Sequence, residues 1–361
     1  MFARKRTRFL LVSLTFFIAS CQAGQNPVTK VPANFQTATQ QADYTPETPE
    51  PGPTDLSTVS AVWPKCFTSA EGSPIAFMPD SVRILIKEPT GVRVFNLESM
   101  EEESFLQAPQ GFGPVALSPD GELLAWALED NTIQLIRIAD GKLLHTLEGH
   151  TGPVTKLRFS PTGDRLFSAS VDTWVRIWDE GGKLLDAFQP TGADNLPNEI
   201  QGIGISPDGT MLGSVPFDGP VRVWNLADKK EIVNLRVSGG DVTSDIAFSP
   251  DGEFVAADPI SQLSLWRTSD WKKIWSGVSS LAFAFSPDSH FLAYHDMDKS
   301  KVYLLSLTET EPLRDLEGSQ TFIYDLFFSP DGTLLTSAGA GILIWQVETG
   351  QLQHEGKATC P

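Results

Sequence analysis

The chain is poor in the residues that carry most enzyme chemistry. Its five histidines, at 145, 150, 290, 295 and 354, are scattered, and no H-E-x-x-H pair places two of them on one helix face for zinc. There is no G-x-S-x-G turn to present a nucleophilic serine and no glycine-rich loop ending in Gly-Lys-Ser to hold phosphate. Cysteine is nearly absent, with only three in 361 residues, so a disulfide-dense scaffold is excluded. Positive charge is deficient: 27 Lys and Arg stand against 45 Asp and Glu, a net charge of −18. Such a surface repels nucleic acid and anionic headgroups, which excludes nucleic-acid binding as the main activity. No apolar stretch reaches the ~20 residues that span a bilayer. What remains is 41% hydrophobic, enough for a core, with Val, Phe, Trp, Thr, Gly and Pro recurring as they do in β-rich domains.

The N-terminus reads as an address. Met1–Arg8 is basic and Phe9–Ala19 is uncharged and largely apolar, too short to span but suited to a signal-peptide core. Ile18-Ala19-Ser20-Cys21 follows and resembles the lipobox of bacterial lipoproteins. That resemblance implies cleavage before Cys21, lipidation of its thiol, and stable anchoring by more than one acyl chain. Cleavage after Ala23, with Cys21-Gln22-Ala23 as a small-x-small site, is the alternative. Removing residues 1–20 takes away Arg4, Lys5, Arg6 and Arg8 and leaves 23 basic residues against 45 acidic, a net of −22. Residues 21–57 then form a lipidated tether, rich in Pro, Thr and Gln, that buries too little to order itself. It reaches about 30 Å as a loose coil and about 90 Å as extended polyproline II.

Residues 58–361 are organised by a repeat. Met78-Pro79-Asp80-Ser81 returns as Ser118-Pro119-Asp120-Gly121, Ser160-Pro161-Thr162-Gly163, Ser206-Pro207-Asp208-Gly209, Ser249-Pro250-Asp251-Gly252, Ser286-Pro287-Asp288-Ser289 and Ser329-Pro330-Asp331-Gly332. The spacings are 40, 42, 46, 43, 37 and 43 residues. Pro presets φ at the second turn position, Asp bonds back to the local backbone, and Gly accepts positive φ. Some 14 to 20 residues after each phrase, an alternating strand ends in a bulky apolar residue: Phe95, Ile136, Trp178, Trp224, Trp266, Leu305 and Trp345. Two markers in phase through seven units predict an all-β, seven-bladed β-propeller of four-stranded antiparallel blades.

The third unit shows a whole blade: Val154–Phe159, Arg165–Ser170, Trp174–Trp178 and Leu184–Phe188. With Gly149-His150 before the first strand, Asp172 before the third and Trp178-Asp179 closing it, this unit resembles the WD40 repeat. The resemblance implies a structural hydrogen-bonded tetrad of His150, Ser168 (or Ser170), Asp172 and Trp178. Other units lack the full set: Gly239-Gly240 and Gly318-Ser319 stand where Gly-His belongs.

A closed ring brings its ends together. Cys66 and Cys360 flank the seven units, and in an exported compartment they are expected to form a disulfide worth at most about 5 to 6 kcal/mol by chain entropy. Either Gln351–Glu355 or Thr58–Trp63 supplies the outer strand of the last blade.

The longest insertion, Gln189–Ile200, carries Asp194, Asn195, Asn198 and Glu199 as a possible binding loop. Gly111-Phe112-Gly113 and Gly202-Ile203-Gly204 read as connections into blades. His295, Asp296 and Asp298 read as a solvated loop, and Trp271 with Trp275 as packing or an exposed patch. No catalytic or metal site and no cofactor is expected. The chain reads as a monomeric, non-catalytic scaffold for a protein or peptide, on the outer face of a bacterial membrane or in the periplasm. The alternative is an enzyme or small-ligand sensor whose site is built from channel-facing residues.

Overall fold

The computed structural model describes residues 73–88, 91–107, 113–190, 198–217, 219–235, 243–259, 262–277, 282–316, 318, 323–339 and 341–357. Cys21, Cys66, Cys360, Asp194, Asn195 and the 1–20 and 21–57 segments lie outside them. Seven four-stranded sheets run in chain order, each made of consecutive antiparallel strands. They are blade 1 (Ser73–Gln107), blade 2 (Val115–Leu147), blade 3 (Val154–Phe188), blade 4 (Ile200–Leu235), blade 5 (Thr243–Ser276), blade 6 (Phe283–Asp315) and blade 7 (Ile323–Lys357). The first strand of each blade contacts the first strand of the next, and that of blade 7 returns to blade 1. The fold is a closed seven-bladed β-propeller.

Its core lies between the blades. Seven apolar clusters each join one adjacent pair: Ala125 and Leu135 of blade 2 meet Leu157 and Trp178 of blade 3, and Ile342 and Ile344 of blade 7 meet Ile84, Ile86 and Phe95 of blade 1. The bulky residue closing each third strand always packs against the preceding blade. Second and third strands are covered on both faces and run nearly continuously apolar. Outermost strands are the exposed ones and carry leucines as well as polar residues on the rim, Leu143, Leu184 and Leu185 among them.

The recurring phrase is a turn between first and second strands, held by a buried serine. Ser118, Ser206, Ser249, Ser286 and Ser329 each donate from Oγ to the Asp two residues on, at 2.5 to 2.6 Å. The same oxygens accept the backbone N–H five residues on, at 2.8 to 2.9 Å. In blade 3, where Thr162 replaces Asp, Asp164 takes the Ser160 hydroxyl at 2.8 Å. In blade 1, where Met78 replaces Ser, Asp80 accepts the N–H groups of Val82 and Arg83 at 3.0 Å.

Ser81 and Ser289 occupy the positive-φ position that Gly fills elsewhere, at φ 62° and 59°. Each uses its hydroxyl to accept a backbone N–H from the preceding blade: Asp331 to Ser81 at 3.0 Å and Asp251 to Ser289 at 2.9 Å. The first of these ties blade 7 to blade 1. Blade 7 takes its outer strand from the C-terminal side, Leu352–Lys357, paired along Gly341–Gln346. That settles the choice in favour of the segment containing Gln351–Glu355.

Two local expectations change, and the choice at Trp271 and Trp275 falls to packing. Gly202-Ile203-Gly204 lies inside the innermost strand Ile200–Ile205 and is not a connection. A Cβ on Gly204 would stand 2.5 Å from the Ile246 carbonyl oxygen, so the close approach of blades 4 and 5 requires glycine there. His295 and Asp296 end the second strand of blade 6 and are buried, not looped into solvent, because that strand runs to Asp296 in register with Lys301. Trp275 packs on Tyr294 of blade 6, ring centroids 5.3 Å apart, and Trp271 packs on the cluster between blades 4 and 5.

Phe95 sits fully buried at the join between blades 7 and 1. Phe95→Ala is expected to cost about 3 to 5 kcal/mol, read as a lowered urea midpoint of the purified domain.

Candidate functional site

Alternating strand direction gives the ring two unlike ends. The serine-proline turns gather at one end, the turn face. The starts of the innermost strands, the ends of the second strands and the residues flanking the insertion, 189–190 and 198–200, gather at the other, the insertion face. Two residues on that face are large, apolar and half exposed: Phe217 after the second strand of blade 4 and Tyr324 at the start of blade 7, each 49% exposed. Asn198 is half-buried beside Gly219, and Glu199, exposed, offers its carbonyl to the Phe217 N–H at 2.7 Å. The described part of the insertion therefore braces the loop that carries Phe217.

The channel holds charges that no linear motif announces. Lys156 and Arg158, from the innermost strand of blade 3, both reach Oδ2 of Asp245 on blade 5, each at 2.7 Å. Asp325 occupies in blade 7 the register position that Asp245 has in blade 5, the first paired residue past a β-bulge. Both carboxylates use Oδ1 to accept the next residue's N–H, at 2.9 and 3.0 Å. Burial pushes Asp245 up, but the Lys156 and Arg158 charges outweigh it and hold its carboxyl below the usual range. For Asp325 burial wins: the same two cations offset part of it, Asp245 adds to it, and the pKa ends raised. Lys87, which also lines this end, donates to the Gly113 carbonyl at 2.5 Å, and burial lowers its pKa.

Two cavities make up the described channel. One, of 290 Å3, is lined by Lys87, Thr155, Lys156, Arg158, Tyr324 and Asp325 among others. The other, of 340 Å3, is mainly apolar, with Phe159, Ile205, Ile246, Phe248 and the turn prolines Pro119 and Pro161. Val115, Arg158 and Phe327 line both, so the two compartments abut. The sequence signal for this site was a charge at an inward position of three innermost strands, VTKLRF, TSDIAF and IYDLFF. Without the ring, nothing brings residues about ninety positions apart to one point.

Blade 3 gathers His150, Ser168, Asp172 and Trp178 into one chain. Trp178 Nε1–H donates to Ser168 Oγ at 2.9 Å, and Ser168 Oγ lies 2.8 Å from His150 Nε2. His150 Nδ1 lies 2.9 Å from Asp172 Oδ2, which also accepts the Thr151 N–H and Arg176 Nη1. With Nδ1–H donated to Asp172 the chain runs Trp178 to Ser168 to His150 Nε2, while Arg176 Nη1 stands 2.7 Å from the same Nδ1 and donates to Asp172. Ser170 is outside the chain; its hydroxyl donates to the Gly152 carbonyl at 2.9 Å. The side chains of His150 and Asp172 are 1% and 3% exposed, which removes them from solvent chemistry. Blade 4 keeps only the Trp224-to-Ser214 bond, at 2.7 Å. Among the described residues no group of three or more His, Cys, Asp or Glu is arranged to hold a metal.

The WD40 family (WD domain, G-beta repeat) matches residues 141–179 and 310–345. Each match begins near the outer strand of one blade and ends with the third strand of the next, so the sequence repeat is staggered by one strand against the blade. The chain is thus a seven-bladed propeller in which two stretches match the WD40 repeat. It is 28% identical over 260 residues to apoptotic protease-activating factor 1 of Rattus norvegicus, covering 65% of this chain and 19% of that protein. The COMPASS component SWD3 of Saccharomyces cerevisiae is 27% identical over 150 residues, 41% of this chain and 46% of that one. An uncharacterized WD repeat-containing protein of Synechocystis is 30% identical over 190 residues, 40% and 53% of the two chains. The matched parts span between about a fifth and a half of these relatives.

Ser168→Ala would leave Trp178 Nε1 and His150 Nε2 buried without partners, at an expected cost of about 1 to 3 kcal/mol, measured by urea unfolding. Burial depresses His150, with Asp172 opposing and Arg176 assisting. A folded-state pKa below the unfolded value means the stability it contributes is present above about pH 6.5 and is lost as pH falls from there through the folded pKa. The urea midpoint is therefore expected to drop on acidification below about pH 6.5, and His150→Gln to flatten that slope.

Proposed function

We propose that this propeller is a non-catalytic scaffold that binds a protein or peptide across its insertion face, held at the bacterial cell envelope by lipid on Cys21. The observation that carries the binding face is two half-exposed aromatics at the same end of the ring, Phe217 beside the insertion that bears Asn198 and Glu199, and Tyr324 at the start of blade 7. Aromatic side chains of this kind anchor interfaces, and isolated domains gain nothing by leaving them wet. The acidic balance of the chain favours a partner with a basic surface, through faster encounter. That a similar protein is named as a component of COMPASS accords with a partner-binding role. The anchor is supported by the basic flank, the apolar run and the small residues before Cys21. The Cys66–Cys360 disulfide belongs to the same reading, since an exported compartment permits it.

A photo-reactive amino acid placed at Phe217 or Tyr324 in the full chain in cells is expected to yield a protein adduct, and one placed at Asp208 on the turn face is not. Adducts from Asp208 alone would reverse the assignment of the face. Cys21→Ser is expected to move the protein from the membrane to the soluble fraction; unchanged fractionation would remove the lipid anchor.

A further inference from the structure

The channel charges are unevenly matched. Lys156 and Arg158 converge on one oxygen of Asp245, while Asp325, at the equivalent register of blade 7, forms no ion pair among the described residues. Arg158 uses only Nη2 on Asp245, so Nε and Nη1 remain available, and Lys156 spends one of its three donors. Within one 290 Å3 cavity there are thus spare cationic donors and a spare carboxylate oxygen. Lys156 and Asp325 are half-buried and Arg158 is 39% exposed, so water solvates each only in part and a ligand of opposite charge can take its place. The abutting 340 Å3 compartment is apolar, and Arg158 and Phe327 line both. A cavity with few polar groups of opposite sign at one end and an apolar end beside it suits a small amphiphilic ligand.

We propose that the channel binds a small zwitterion of the α-amino-acid type: its carboxylate on Arg158 and Lys156, its ammonium on Asp325, its apolar side chain in the compartment lined by Phe159, Ile205 and Phe248. Charge-assisted bonds at both ends define the ligand by its charge pair as well as its apolar part. Burial and the nearby Asp245 charge raise Asp325, and an ammonium placed beside it supplies the counter-charge it lacks. The ligand satisfies the cations without displacing Asp245, which keeps both of its bonds. The cavity shares Tyr324 with the partner face, but small-ligand binding and cross-linking in cells are independent readouts, so failure of either reading leaves the other standing.

Calorimetric titration of the purified full chain in detergent tests it, with L-phenylalanine and L-leucine against phenethylamine, which lacks the carboxylate, and 3-phenylpropanoate, which lacks the ammonium. The amino acids are expected to bind saturably, and each single-charge analogue at least about tenfold more weakly. Asp325→Asn is expected to weaken L-phenylalanine about tenfold and leave 3-phenylpropanoate unchanged; Arg158→Met, which leaves Lys156 on Asp245, is expected to weaken 3-phenylpropanoate and spare phenethylamine. Absence of saturable amino-acid binding, an analogue binding as tightly as L-phenylalanine, or an Asp325→Asn protein with unchanged affinity each overturns the proposal. Should either variant fail to fold, the analogue series on the unaltered protein decides.

Discussion

The wedge at the end of each third strand is the contact on which the rest depends. Phe95, Ile136, Trp178, Trp224, Trp266, Leu305 and Trp345 all press against the blade before them. A single four-stranded sheet has no second layer to bury its face, so a blade is stable only between neighbours. The apolar area is therefore distributed around a ring, and one gap would expose two sheet faces at once. Closure is a thermodynamic requirement here. In the described residues it is met by the cluster of Phe77, Ile84, Ile86 and Phe95 with Ile342 and Ile344, and by the hydroxyl of Ser81 on the Asp331 N–H.

Polar groups that follow the chain into this apolar ring are dealt with locally. The serine of each turn is buried because the second strand folds back over it, and its hydroxyl both donates to the turn Asp and accepts a backbone N–H. Where the motif changes, another oxygen takes over, as Asp164 does in blade 3. The His150 chain does similar work between strands of blade 3, linking the segment before the first strand to the second and third strands. Blade 4 lacks the His and satisfies its Trp224 indole with Ser214 alone.

The channel follows a different rule. Four charged residues stand on innermost strands where neighbouring blades present Ala, Gly or Phe, and Asp245 and Asp325 share a register without sharing partners. The turn serines and the blade 3 chain are satisfied within a few residues, whereas the channel holds an asymmetric set of charges drawn from three blades. The insertion face, with Phe217 and Tyr324 exposed, opens at the same end. Partner contact and channel occupancy are thus placed at neighbouring positions of one surface.

The blade count was legible in the residues because turn chemistry is local: Pro, Asp and Gly or Ser act within four positions, and strand alternation within six. The His150 chain was legible for a related reason, since its members fall within one repeat; the choice of Ser168 over Ser170 was not, because the two share a face of the strand and differ only in how far along it they lie from Trp178. Glycine at 202–204 looked like a connection because sequence carries no sign that a neighbouring carbonyl lies 2.5 Å from an added Cβ. His295 and Asp296 looked solvated because polar residues at a strand end are ordinary until the neighbouring blades cover them. The sequence by itself determined seven blades, their turns and the phase of their wedges, all set by interactions a few residues long. Only the tertiary structure decided how the last blade is completed, which serine joins the His150 chain, and that Lys156 and Arg158, held by Asp245, line one cavity with Asp325, because those depend on closing a ring across most of the chain.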